Sequence, residues 1–320
     1  MSDSRALTFD TISIIDDNKL MSISAVLIVK NEEKRLARAL KSLKFVDEIV
    51  VFDMLSTDHT QAVAKKFTDQ VFSTPEDFGY VEPARNLAVS KAKGEWILVL
   101  DADEEVPKSL AEKIKDLIKA NDTDVFFLPR KNLIFNKAIE HSGWWPDYQV
   151  RLFKKGKVQW RDEIHSQPRI EGQAEYLPAK ADWAIIHHNY ETVEDFVERS
   201  QKYTSLQAKE RKNLKTISTE DLIQAFNSEF LRRFFLKKAY QDGMHGLALS
   251  LLQSNYELLI KLKQWQAQDF PEEQLNNQQL IKLLKTQRAE FDYWLTDLEI
   301  SEASWGRKLF LKLKRKIANR

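Results

Sequence analysis

Cysteine is missing from all 320 residues, which rules out disulfides, zinc-thiolate sites and thiol nucleophiles. A surplus of one charge sign is missing too. With 49 Lys and Arg against 48 Asp and Glu, the overall balance gives no support to a nucleic-acid partner, and none is expected. Long apolar runs are absent: the longest uncharged stretch of the C-terminal half, Gly243 to Tyr256, falls short of the ~17 to 25 apolar residues that a spanning helix needs. The first residues, with Asp3, Asp10, Asp16 and Asp17, lack the cationic start and apolar centre of an export signal. A cytoplasmic protein is therefore expected. Neither G-x-G-x-x-G nor G-x-x-x-x-G-K-[ST] occurs, so the dinucleotide fingerprint and the P-loop are excluded. Any bound phosphate has to be held by a metal and by cationic side chains.

What is present is a soluble, folding composition, 43% apolar and 30% charged, on a chain long enough for a substantial core. Its most informative stretch is Trp96 to Glu105, W-I-L-V-L-D-A-D-E-E. The apolar run predicts a strand buried on both faces. Four carboxylates then crowd at its carboxyl end, where open α/β sheets bind ligands. Asp-x-Asp supplies hard oxygen donors of the kind Mg²⁺ or Mn²⁺ takes. Upstream, strand, polar turn and helix repeat: Ala25–Val29 before Leu36, Leu40 and Leu43; Glu48–Phe52 before Ala62–Phe67; Val71-Phe72 before Glu82–Lys93. That alternation predicts an α/β fold with a mostly parallel sheet flanked by helices. The expected organisation is an extension at 1–22, an α/β domain at 23–190 and a helical region at 191–320.

Ala25-Val26-Leu27-Ile28-Val29-Lys30-Asn31-Glu32, Val50-Val51-Phe52-Asp53 with Ser56-Thr57-Asp58-His59-Thr60, Ala84-Arg85-Asn86, and Asp101-Ala102-Asp103-Glu104 follow one another along the chain. In order and spacing they resemble family 2 glycosyltransferases, in particular the lipopolysaccharide-core and cell-envelope branch. The resemblance covers the first half strongly and extends loosely to about Tyr203. It implies a GT-A fold, a nucleotide-diphospho-sugar donor (a UDP-sugar above all), a divalent Mn²⁺ or Mg²⁺, and inversion at the anomeric carbon. One departure is evident: where that family often carries Asp-Ser-Gly-Ser-Thr-Asp-Gly-Thr, this chain has Asp53-Met54-Leu55-Ser56-Thr57-Asp58-His59-Thr60, without either glycine. The backbone freedom of that loop is thereby reduced. By the resemblance Asp53 reads the uridine, Asn31 and Glu32 flank the nucleoside, and Arg85 reaches the base or diphosphate, where a guanidinium fork suits phosphate oxygens. Asp103 is expected to bind the metal directly, and Asp101 to address the ribose or a metal-bound water.

A second constellation lies in residues 130 to 170. Trp144 and Trp145 offer aromatic faces for a saccharide acceptor, with Glu104 as a further acceptor contact. Arg151, isolated in an apolar run, is assigned to the donor and expected to pair with Asp147. Asp162-Glu163-Ile164-His165-Ser166-Gln167-Pro168 resembles the family's segment ending in Ile-His-Glu-Gln-Pro, with Ser166 where an acid is common. An inverting transferase needs a base to deprotonate the acceptor hydroxyl, worth roughly 10² to 10⁴ in rate. Glu163 is assigned that role, with Asp162 and Asp147 as alternatives and His165 as a metal or diphosphate ligand. His187 and His188 carry less weight.

Beyond Val193 the pattern is helical, broken near Gly243 and Gly246 and again around Pro271. The tail Trp305–Arg320 sets Trp305, Leu309, Leu313 and Ile317 on one stripe among cations. Such a helix suits an anionic membrane surface, here the cytoplasmic face of an inner membrane, or a homodimer contact. A saccharide or lipid-linked acceptor fits either. Two other readings remain at this point: a nucleotidyltransferase on the same scaffold, which lacks its glycine-rich phosphate grip here, and a non-catalytic carbohydrate-binding or scaffold protein.

Overall fold

The computed structural model describes residues 21–76, 78, 81–161, 167–210 and 215–318. Its first part alternates as expected: β1 (Ile23–Val29), α1 (Leu36–Ser42), β2 (Glu48–Asp53), α2 (Thr60–Ala64), β3 (Val71–Ser73), α3 (Glu82–Lys91) and β4 (Trp96–Leu100). A two-residue β5 (Glu104–Glu105), α4 (Lys108–Ala120), β6 (Val125–Ile134), β7 (Lys137–Ala138) and β8 (Asp147–Lys154) follow. The last strands are β9 (Val158–Gln159), β10 (Arg169–Ile170), β11 (Ala174–Tyr176) and β12 (Ile185–Tyr190). One sheet runs β3-β2-β1-β4-β8-β6-β12-β5. The first four strands are parallel, β8 runs antiparallel to both β4 and β6, and β12 is parallel to β6.

The strand period of two explains why β1 and β4, buried at every position, are apolar on both faces, Ser24 of β1 excepted. Ala25, Leu27 and Val29, with Trp96, Leu98 and Leu100, join the core built with α1 and α4. Their neighbours Val26, Ile28, Ile97 and Val99 enter the opposite layer with Ala84, Ala88 and Val89 of α3. Each fully buried aliphatic side chain contributes about 1.5–3 kcal/mol. The parallel register sets Val29 beside Asp53 and Leu27 beside Leu100, so Asn31, Asp53 and Asp101 leave the sheet at one edge.

The remainder is helical: α5 (Val193–Glu210), α6 (Thr219–Leu231), α7 (Met244–Ala267), α8 (Asn277–Glu302) and α9 (Trp305–Ala318). Of the two glycines expected to interrupt this region, Gly243 does so, with φ 66° immediately before α7. Gly246 lies inside α7, where a Cβ would sit 1.7 Å from the Ala239 carbonyl oxygen. Close packing, not a break, is what requires it. Among the described residues no helix is long and apolar enough to cross a membrane.

Candidate active site

Two strand-end loops are laced together at the edge of β1 and β2. Asn31 adopts φ 56°, its Oδ1 accepts from Thr57 N at 2.8 Å, and its own N donates to Ser56 Oγ at 2.8 Å. Glu32 N donates to Thr60 Oγ1 at 2.7 Å and His59 N to Glu33 Oε2 at 3.0 Å. Asn31 thus spends its side chain on the neighbouring loop. Asp53 is buried, and its Oδ2 accepts from Gln61 Nε2 at 2.7 Å and Ser56 N at 3.1 Å. Its Oδ1 is buried with no hydrogen-bond partner among the described residues, an acceptor with spare capacity. Leu55, exposed, takes φ 56°, so the loop keeps a left-handed residue although the glycine is gone. For a branched side chain that costs about 1–2 kcal/mol.

At the end of β4 the four carboxylates separate. Asp101 is ion-paired to Arg151, whose Nη2 also donates to Glu104 Oε1 at 2.7 Å. Arg130 donates to Glu104 Oε1 at 3.1 Å and, through Nε and Nη2, to Asp147 Oδ2 at 2.9 and 2.6 Å. Asp147 accepts further from Asn132 Nδ2 at 3.1 Å and Gln149 Nε2 at 2.9 Å. Burial pushes the Asp101 and Asp147 carboxyls up, but the guanidiniums outweigh it. Arg151, Arg85 and Arg130 hold Asp101 far below the usual carboxylate range, and Arg130 depresses Asp147.

Three expectations are corrected here. Arg151 pairs across the sheet with Asp101 and Glu104, not with Asp147, because four residues along a strand span about 13 Å. Glu104 is fully buried: β5 pairs it with His187 on β12, and both its oxygens are engaged, so it presents nothing to an acceptor. Asp147, saturated and acidified by Arg130, is a poor base and acts as a brace. Arg85 stands beside this network with its guanidinium 5.7 Å from the Trp160 ring and a buried Nε that has no partner. Burial, then the neighbouring Arg151, lower its pKa despite the nearby carboxylates. Arg85, Arg151, Tyr148, Gln149 and Gln167 help line a cavity of about 260 Å³. Asn86 fixes Trp160 by a pair of hydrogen bonds, 2.8 and 3.0 Å.

Asp103 faces the other way. Its Oδ1 lies 3.5 Å from His187 Nε2 and its Oδ2 3.4 Å from Arg199 Nη2. His187 Nδ1 meets Asn132 Oδ1 at 2.6 Å, and Asn132 uses its amide as donor to Trp144 O and Asp147. Asn132 Oδ1 is therefore an acceptor and His187 Nδ1 carries a proton. As an imidazolium His187 also donates from Nε2 to Asp103, a contact that helps, against burial, to hold that carboxyl below the usual range; as a neutral ring it turns an Nε2 lone pair to the carboxylate, and the two acceptors then fit a cation between them. Among the described residues no third His, Asp or Glu completes a cluster, so the donor set suits a cation that takes its other ligands from diphosphate and water, as Mg²⁺ does. Glu32 stands near enough to Asp103 that burial and that charge raise its pKa.

Trp144 packs against the Ile134, Ile139 and Leu249 cluster, edge-on to Tyr190 and beneath Arg233, which makes it a packing residue. Trp145 is half-buried. Asp162, Glu163 and His165 lie outside the described residues. Sequence reasoning missed Arg130, Asn132 and Arg199 and underweighted His187, whose one signal was a His pair closing an apolar strand.

The family model for Glycosyl transferase family 2 matches residues 24–169. This segment is a family 2 glycosyltransferase domain. An uncharacterized glycosyltransferase of Rickettsia felis is 29% identical over 245 residues, covering 72% of this chain and 84% of its own. The lipopolysaccharide core biosynthesis glycosyltransferase LpsC of Rhizobium meliloti is 25% identical over 256 residues, 77% and 93% of the two chains. The solved structure of S. aureus TarS 1-349 with UDP overlaps 80% of this chain and 94% of that chain, at 15% identity and a TM-score of 0.42.

Proposed function

We infer that this transferase moves a glycosyl group from a nucleotide-diphospho-sugar to a saccharide or lipid-linked acceptor of the cell envelope, with inversion and with a divalent cation. The observation that carries the reading is the convergence of Asp103 Oδ1 and His187 Nε2, 3.5 Å apart, at the carboxyl end of a parallel sheet. Asp103 and His187 would hold Mn²⁺ or Mg²⁺. Bound there, the cation supplies positive charge to the departing diphosphate.

The chain's own groups do the rest. The spare Asp53 Oδ1 accepts from the nucleobase, and the Asn31 and Thr57 lacing keeps that edge in shape before the donor arrives. Arg85, with no ion partner of its own within bonding distance among the described residues, offers its fork to the diphosphate or sugar. Arg151 and Arg130 orient Asp101 without reaching the donor themselves. The acceptor proton is assigned to Glu163 or Asp162. The cell-envelope acceptor rests on similarity to LpsC, a lipopolysaccharide-core enzyme by name.

The test is release of UDP from a panel of UDP-sugars, with Mn²⁺ and with chelator. Mn²⁺-dependent release from at least one sugar, abolished in Asp103→Ala, is the expected result. Undiminished turnover by Asp103→Ala, or in chelator, would reject the metal assignment, and no turnover of any nucleotide sugar would reject transfer itself.

A further inference from the structure

The charge of this chain is segregated. Residues 303–320 hold Arg307, Lys308, Lys312, Lys314, Arg315, Lys316 and Arg320 and no acid. Seven cations in a chain whose net charge is +1 leave −6 on everything before them. Six of the seven lie on α9, which among the described residues is docked by one side only. Leu311 is 5% exposed, and Arg315 is ion-paired to Asp297 and lies over the Tyr293 ring at 4.8 Å, both on α8. Lys308, one turn before Leu311, is half-buried on that same side.

The other side is apolar and bare. Trp305 is 80% exposed, Leu309 54%, Phe310 65% and Leu313 61%. At about 100° per residue these four fall within about 140° of the helix circumference, flanked by Lys312 on one side and Arg307 on the other, with Lys314 by position also at the Arg307 flank and Lys316 entering the sector at its C-terminal turn. Arg307 and Lys312 are both exposed. An isolated apolar patch would suit many partners. One framed by cations, in a tail with no acid, is complementary to a surface that is apolar below and anionic above. A second copy of this chain is less well matched, because two α9 faces brought together would oppose like charges.

We propose that α9 lies in the interface of an anionic lipid bilayer, with Trp305, Leu309, Phe310 and Leu313 below the headgroups and Arg307 and Lys312 among them. The inference goes beyond the transfer reaction and does not depend on it. It makes the protein a peripheral one, held by a single helix, with α8 as the strut between α6 and the bilayer.

The test uses the full chain and co-sedimentation with vesicles of phosphatidylglycerol and phosphatidylethanolamine, and separately of phosphatidylcholine alone. Binding to the anionic vesicles, weak binding to the neutral ones, and loss in high salt are expected. Arg307→Gln and Lys312→Gln should each weaken it about fivefold. The pair Leu309→Ser and Phe310→Ser should remove it while the thermal midpoint stays put, since both side chains are already in water. Absence of binding, or binding that these variants leave unchanged, overturns the proposal. So does a dimer in sedimentation equilibrium that the Leu309→Ser and Phe310→Ser pair dissociates while the wild type ignores lipid.

Discussion

Asp101 and Asp103 are separated by one alanine, and the protein treats them in opposite ways. Asp101, its side chain 36% exposed, is paired to Arg151, with Arg85 and Arg130 nearby, and Glu104 is locked to Arg130 and Arg151. Asp103, the more buried of the two, has among the described residues a long contact to Arg199 and the His187 imidazole in front of it. One half of the strand end is neutralised by guanidiniums that the fold supplies. On the proposed reading the other half receives its positive charge from a cation that comes with the donor. If so, changes in the Arg-braced half should cost stability, and changes in the His-facing half should cost turnover.

The largest expected effect is on the braced half. Arg151→Met removes a buried cation and leaves Asp101 and Glu104 to share Arg130, a loss of about 3–5 kcal/mol to be read by urea denaturation. Asp103→Asn should invert the pattern: Mn²⁺-dependent turnover falls roughly 10³-fold, as several kcal/mol of lost charge stabilisation implies, while the denaturation midpoint moves less than half as far as in Arg151→Met. If both variants lose stability equally, the two halves are not distinct. A smaller effect belongs to the nucleoside edge. Leu55→Gly should stabilise the fold by up to about 1 kcal/mol, the relief of a left-handed leucine less the entropy glycine adds to the unfolded chain. Destabilisation would show that the Leu55 side chain has packing worth more than its strain.

The smallest effect is in pH. Asp147 is depressed in the folded state, so its contribution is complete above the unfolded value near ~3.9 and disappears as pH falls through the lower folded one. Stability should therefore drop on acidification below about pH 4, with a shallower slope in Asp147→Asn. An unchanged slope would remove Asp147 from the brace.

The parallel half of the sheet and its acidic terminus were legible because local pattern specifies them: an unbroken apolar run, then carboxylates, fixes both the strand and the end at which ligands gather. Asp53 was legible for the same reason. Glu104 was misread because its position is decided by β5 pairing with β12, some eighty residues later, and a two-residue strand has no pattern of its own. Arg130, Asn132, His187 and Arg199 arrive from β6, β12 and α5, elements whose placement beside β4 depends on the antiparallel insertion of β8. Nothing local in Asn132 announces that its amide sets a histidine tautomer. The pairing of Arg151 with Asp147 followed sequence distance where sheet distance rules. Loss of the loop glycines signalled altered backbone freedom, whereas the fold retains the left-handed turn and places the strain on Leu55.

The central claim is that His187 Nε2 and Asp103 share a cation. Pulsed electron paramagnetic resonance on Mn²⁺ with UDP present, using protein labelled with ¹⁵N-histidine, reads it directly. A histidine nitrogen coupling that vanishes in His187→Ala is the predicted result. Mn²⁺ bound with no histidine coupling, or with one that His187→Ala leaves intact, would contradict it.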